Sequence, residues 1–192
     1  MINNLPNRLT IFRMIMVPLV MVFMLVDMIE GGIFGITYQS MISALIFIVA
    51  SLTDWFDGYI ARRDNLVTNF GKVMDPLADK LIVTAVMLCL MVEGVFPVWC
   101  AMIILARDFL ITGIRVIAVA EGISVAASMW GKVKTTIQMV SMVVAILFGA
   151  SEIPVLYWIA QASIYLSTLA TLISGISYIY DYRKVFGVRI KV

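Results

Sequence analysis

Residues Thr53 to Leu81 read TDWFDGYIARRDNLVTNFGKVMDPLADKL, and apolar sequence closes in on both sides: SALIFIVASL before, IVTAVMLCLMV after. Four carboxylates, Asp54, Asp57, Asp75 and Asp79, therefore stand between two blocks with the composition of membrane helices. Working outward, apolar blocks of roughly 20 residues recur along the chain, the length that crosses a bilayer core as a helix. The composition agrees: 62% hydrophobic, 14% charged, with a mean hydropathy of +1.04. These blocks are continuous rather than alternating, and hydrocarbon leaves backbone groups no partner outside the chain, so the spans are expected as helices and not as barrel strands.

Six spans are expected, from Leu9 to Val26, Tyr38 to Ala61, Val73 to Val92, Val98 to Ala120, Gly131 to Phe148 and Pro154 to Tyr180. The joints between them are short, and the sequence carries no internal repeat, low-complexity tract or soluble domain. The fold class is thus an all-α integral membrane protein, a six-transmembrane-helix bundle forming a single domain over residues 1–192. The first block is kept as a span because LVDMIEGG lacks a small-residue cleavage site.

Orientation follows from the basic residues. With the N-terminus in the cytoplasm, Arg8, Arg13, Arg62, Arg63, Lys72, Lys132, Lys134, Arg183, Lys184, Arg189 and Lys191 all fall at cytoplasmic ends. The outer joints hold only Asp27, Glu30, Glu93 and Glu152. Both termini and the Asp-rich stretch are then cytoplasmic, in a multi-pass protein of the cell membrane. The closing segment, YDYRKVFGVRIKV, is basic enough to anchor the last span or to lie on an anionic leaflet.

Scarcity narrows the chemistry. The chain has no histidine, so acid and base work falls to carboxylates, Lys, Tyr or water, and a zinc site is improbable. Cys89 and Cys100, the two cysteines, lie near the outer ends of spans without metal-like spacing and read as buried apolar filler.

On helices, Asp54 and Asp57 are three apart and Asp75 and Asp79 four apart, so each pair projects from one face. An antiparallel hairpin joined by RRDNLVTNFGK brings the faces together. Four converging carboxylates repel one another unless protons or cations neutralise them. All-oxygen ligands suit Mg²⁺, Mn²⁺ or Ca²⁺, and two such ions about 4 Å apart are a common device in phosphoryl transfer. Gly58 and Ala61 share the helical face of Asp54, and Gly71 lies one turn before Asp75, which leaves room for a ligand near the backbone or for close helix packing. Arg62 offers a fork for phosphate oxygens.

Asp54, Asp57, Gly58, Ala61, Arg62, Gly71, Asp75 and Asp79 match DxxDGxxAR(x8)GxxxDxxxD without departure, eight fixed positions over 26 residues. In this the chain resembles the CDP-alcohol phosphatidyltransferase family. The resemblance implies a six-helix membrane enzyme, usually a homodimer, that moves a phosphatidyl group from a CDP-linked lipid to an alcohol and releases CMP. It implies that Asp54, Asp57 and Asp75 are metal ligands and that Asp79, at the metals, is the general base. Gly58, Ala61, Arg62 and Gly71 would line the cytidine diphosphate site. The expected cofactor is Mg²⁺ or Mn²⁺, as two ions.

The acceptor must be read outside that signature. Arg107 lies deep in an apolar block, where a lone cation is costly, so it requires either Asp108 or another carboxylate as partner, or a watered cavity. Arg115 is eight residues on, near the same face, while Lys132 and Lys134 open the fifth span in WGKVKT. Together the four suit an acceptor that bears a phosphate; as a bland alternative, the lysines are positive-inside anchors. NLPNRLTIFR, ARDFLITGIR and SMWGKVKT resemble the branch of the family whose acceptor is glycerol 3-phosphate and whose product is phosphatidylglycerophosphate. By that resemblance Asn7 and Thr10 would lie near the nucleotide, although helix-start chemistry explains them equally well. The expected partners are CDP-diacylglycerol, glycerol 3-phosphate, membrane lipid and a second copy of the chain, with no nucleic acid. Inositol phosphate remains an alternative acceptor. From another class, a divalent-cation transporter is set back by the mostly apolar sequence beyond the cytoplasmic half.

Overall fold

A computed structural model describes residues 5–26, 28–63, 69–120 and 129–189; along 5–8, 54–63, 69–73, 75–76, 117, 119–120, 179 and 181–189 it describes the helix backbone alone. Within these residues the chain is mostly helical, in the order α1 (Leu5–Leu25), α2 (Tyr38–Arg63), α3 (Asn69–Val92), α4 (Val98–Ala120), α5 (Met129–Phe148) and α6 (Pro154–Arg189). Each helix coincides with one of the apolar blocks. The largest departure is α6, which runs on as helix through the basic segment to Arg189.

The joints are built by local chemistry. Between α1 and α2 lies a hairpin that the hydropathy pattern does not reveal, β1 (Gly32–Ile33) against β2 (Ile36–Thr37), antiparallel with Gly32 opposite Thr37 and Ile33 opposite Ile36. Its two turn residues, Phe34 and Gly35, both take positive φ, 54° and 77°, as a two-residue hairpin whose twist matches its strands requires. Thr37 then caps α2, its Oγ1 accepting from Ser40 N at 3.1 Å. At the end of α3, Gly94 takes φ 73°. Val95 N donates to Leu90 O at 2.9 Å and Gly94 N to Met91 O at 3.1 Å, the paired bonds of a Schellman motif.

Packing follows helical spacing. Ile82, Val86 and Leu90 form one face of α3, four residues apart, and all are buried. They meet Val17 and Val20 of α1, Phe47 of α2 and Met142 of α5 in the main core. Since α1 packs on both α2 and α3 and contributes buried residues, it is an integral member of the bundle. A smaller cluster of Ile111, Ala118 and Tyr178 joins α4 to α6. Cys89 and Cys100 are buried and free, as the sequence implied.

The outer faces are rich in large apolar side chains. Leu45, Leu88, Trp99, Phe109, Leu166 and Ile176 are all exposed, and a water-soluble protein rarely leaves so much large apolar surface bare. Among the described residues, Met129–Phe148 and Pro154–Tyr178 are long and apolar enough to cross a membrane, while Leu9–Leu25 and Tyr38–Thr53 are shorter apolar helices. The chain is a membrane protein.

Candidate active site

Four helices meet at one level of the bundle, and their polar side chains form a connected network around Asp108. Lys134, near the start of α5, is only 3% exposed. Its Nζ donates to both carboxylate oxygens of Asp108, at 2.7 and 2.8 Å. Arg107 Nη1 donates to Asp108 Oδ1 at 3.1 Å, and Nη2 donates to Ser174 Oγ of α6. From α3, Lys80 Nζ reaches the backbone oxygen of Asp108 at 3.3 Å and the hydroxyl of Thr112. Thr112 Oγ1 in turn donates to Asp108 O at 2.7 Å.

Burial explains why the network is knit this tightly. A charged group removed from water must find opposite charge or hydrogen bonds. Lys134 finds both in Asp108. Arg107 lies along α6 because the chain there is small: a Cβ on Gly175 would stand 3.3 Å from Arg107 Cγ. Arg107 thus has in Asp108 the carboxylate partner that its place in an apolar block calls for.

Asp79 stands beside this network. It is half-buried, is itself engaged in an interaction, and acts electrostatically on both Lys80 and Lys134. Arg115 also acts on Lys80. Arg115 and Lys132 are exposed, whereas Lys134 is not. Of the four cations expected to take an acceptor phosphate, Arg107 and Lys134 are joined through Asp108, Arg115 acts electrostatically on Lys80, and Lys132 stands on the surface two residues before Lys134.

The signature residues are placed by their helices. Asp54, Asp57, Gly58, Ala61 and Arg62 lie in the last third of α2, and Gly71, Asp75 and Asp79 in the first half of α3, two helices in contact. The side chains of Asp54, Asp57, Ala61, Arg62 and Asp75 fall outside the described residues, as does that of Asn7 on α1. Among the described residues, no three of His, Cys, Asp and Glu gather. Thr10 and Arg13, one turn apart on α1, are completely buried, so Arg13 packs inside the bundle.

Sequence reasoning overlooked Lys80, Thr112, Ser174 and Gly175. One signal was available for Lys80: like Arg107 it is a cation within an expected span, and such a cation demands partners. Ser174 and Gly175 gave none, because small residues in an apolar helix are ordinary packing residues.

A profile of the CDP-alcohol phosphatidyltransferase family matches residues 3–179. The chain belongs to that family. Among curated relatives of this CDP-alcohol phosphatidyltransferase, the CDP-diacylglycerol–glycerol-3-phosphate 3-phosphatidyltransferase of Bacillus subtilis (strain 168) is 38% identical over 179 residues, covering 91% of this chain and 93% of the relative. The protein of the same name from Rickettsia bellii is 36% identical over 185 residues, 96% of this chain and 98% of its own. That of Salmonella choleraesuis is 42% identical over 145 residues, 72% of this chain and 74% of its own.

Proposed function

We propose that this chain transfers the phosphatidyl group of CDP-diacylglycerol to the hydroxyl of glycerol 3-phosphate, giving phosphatidylglycerophosphate and CMP. The observation that carries the acceptor is the cationic network beside Asp79. Among the described residues, Lys134 and Arg107 are cations drawn into the bundle and joined through Asp108, with Lys80 bonded to the backbone of the same residue. A phosphate monoester brings about −1.5 to −2 at pH 7, so these cations suit glycerol 3-phosphate and give an uncharged polyol no advantage. The names of the relatives agree with that acceptor.

The donor binds at the signature. Gly58, Ala61 and Gly71 leave space for cytidine diphosphate, Asn7 and Thr10 of α1 border the nucleotide, and Arg62 takes phosphate oxygens as a fork. The donors on α2 and α3 are carboxylates at spacings of three and four on two continuous helices, an all-oxygen set that fits a hard divalent cation. Asp54, Asp57, Asp75 and Asp79 would hold Mg²⁺ or Mn²⁺, as two ions, whose charge would offset that of the diphosphate when bound. Arg107, Arg115, Lys132 and Lys134 orient glycerol 3-phosphate by its phosphate. Asp79 accepts the proton of the primary hydroxyl, the freed oxygen attacks the lipid-side phosphorus in line, Arg62 takes up developing charge, and CMP leaves.

In this reading all six helices cross the cell membrane, the acyl chains of the donor lie among the exposed apolar faces, and both termini and the site open to the cytoplasm, where the basic residues concentrate. The enzyme works as a homodimer. The test is CMP release by purified protein from CDP-diacylglycerol, with and without Mg²⁺ or Mn²⁺, offered glycerol 3-phosphate, inositol phosphate, serine or glycerol. Metal-dependent release with glycerol 3-phosphate alone is expected; release with a different alcohol would overturn the acceptor.

A further inference from the structure

The network contains one anion where the acceptor reading calls only for cations. Asp108 engages Lys134 with both oxygens and Arg107 with one of them. Its side chain is 22% exposed, against 14% for Arg107 and 3% for Lys134, so of these three it is the least enclosed. The backbone of Asp108 is held independently, because its carbonyl oxygen is bonded by Lys80 and Thr112. A carboxylate able to rotate on a fixed backbone, bound to two cations, occupies the chemical place of a phosphate.

We infer that Asp108 is a positioning residue that acts as the built-in counter-ion of the acceptor site: it holds Lys134 and Arg107 charged and aligned while the site is empty, and the acceptor's phosphate displaces it. The inference rests on the acceptor reading above and adds a cost that this reading lacks. A buried ammonium such as Lys134 must keep an anion at hand, so removing Asp108 leaves its cations hungry for phosphate. Substrate and product both carry that phosphate. The same surplus attraction that tightens glycerol 3-phosphate therefore slows the release of phosphatidylglycerophosphate, which Asp108 otherwise assists by taking its cations back. Binding both states more tightly gains nothing in turnover.

The experiment uses the purified full-length enzyme at saturating CDP-diacylglycerol, with inorganic phosphate as a competitor of glycerol 3-phosphate. In Asp108→Asn, the KM for glycerol 3-phosphate and the inhibition constant of phosphate are both expected to fall about 3- to 10-fold. kcat is expected to fall by a similar factor, and the KM for CDP-diacylglycerol to stay within about twofold. Asp108→Glu, which keeps the charge, should restore the phosphate inhibition constant toward the wild-type value. A KM for glycerol 3-phosphate that rises or stays unchanged in Asp108→Asn overturns the inference, since a merely structural partner of Lys134 gives that result. Should Asp108→Asn fail to fold, the double variant Asp108→Asn/Lys134→Gln removes the pair together. Relative to Lys134→Gln alone it is expected to tighten phosphate inhibition about 3-fold, because Arg107 loses its carboxylate partner, and unchanged or weaker inhibition overturns the inference. If phosphate does not compete with glycerol 3-phosphate in the wild type, the acceptor reading itself fails, which is a different outcome from normal competition that Asp108 does not influence.

Discussion

At the scale of single residues, the proposed site divides labour between Asp79 and the arginines, and kinetics separates the two. Asp79→Asn keeps the size and shape of the side chain but cannot take the acceptor's proton. Turnover is expected to fall by about 10²- to 10⁴-fold while CDP-lipid binding, measured directly, persists; normal turnover in this variant refutes the base assignment. Arg115 is exposed and acts on the network from its rim. Arg115→Ala should raise the KM for glycerol 3-phosphate by about tenfold, the worth of one charge-assisted contact, and barely alter that for CDP-diacylglycerol. Equal effects on both substrates argue against a role at the acceptor phosphate. At this scale the sequence was legible where charge violates an apolar pattern: Arg107 demanded a partner, and Asp108 is that partner. It was illegible where the partner is a hydroxyl or a missing side chain, as at Ser174 and Gly175, because nothing in an apolar helix marks which small residue faces an arginine from another helix.

At the scale of elements, helices were readable because their apolar runs are long, and joints were not, because two-residue strands and caps depend on backbone angles. Two joints make predictions. Gly149 closes α5, and a Cβ there would stand 2.4 Å from Val95 Cγ1 and 2.5 Å from the backbone oxygen of Ala145. The carbonyl cannot yield without opening the helix end, so Gly149→Ala is expected to destabilise the protein by about 1 to 3 kcal/mol. An unchanged thermal midpoint in detergent contradicts this. The second joint holds Glu93, which borders a cavity of about 200 Å³ together with Phe23, Met24 and Ile146. Desolvation against those groups pushes its carboxyl from 4.5 up to about 7. Below pH 4.5 the group is protonated whether the chain is folded or not and contributes nothing to the pH dependence. Between about 4.5 and 7 the unfolded chain sheds the proton more readily, so stability declines as pH rises, and above 7 the loss is complete. Melting curves from pH 5 to 8 should therefore show the wild type falling relative to Glu93→Gln, which has no proton to lose; parallel curves would sink the assignment.

At the scale of the whole molecule, the bundle presents two ends of opposite character, and this difference implies a topology. The ends of α2 and α6 and the starts of α3 and α5 carry Arg62, Arg63, Arg183, Lys184, Lys72 and Lys132, while the opposite joints carry Glu30, Glu93 and Glu152. Cations retained on one side set orientation in the membrane, so each pair of consecutive joints should face opposite compartments. Cysteine scanning tests this directly, because both native cysteines are buried and can be replaced by alanine to give a silent background. In intact cells a membrane-impermeant maleimide is expected to label Glu30→Cys and Glu152→Cys at once. Lys132→Cys, exposed at the start of α5, should react only after the membrane is opened. Lys132 lies in the first turn of α5 and Glu152 just beyond its end, and this helix of 20 residues rises about 30 Å, which matches the hydrocarbon thickness. Labelling of both from the same side would mean that α5 does not cross, and an acceptor site fed from the cytoplasm through Lys132 would lose its geometry with it.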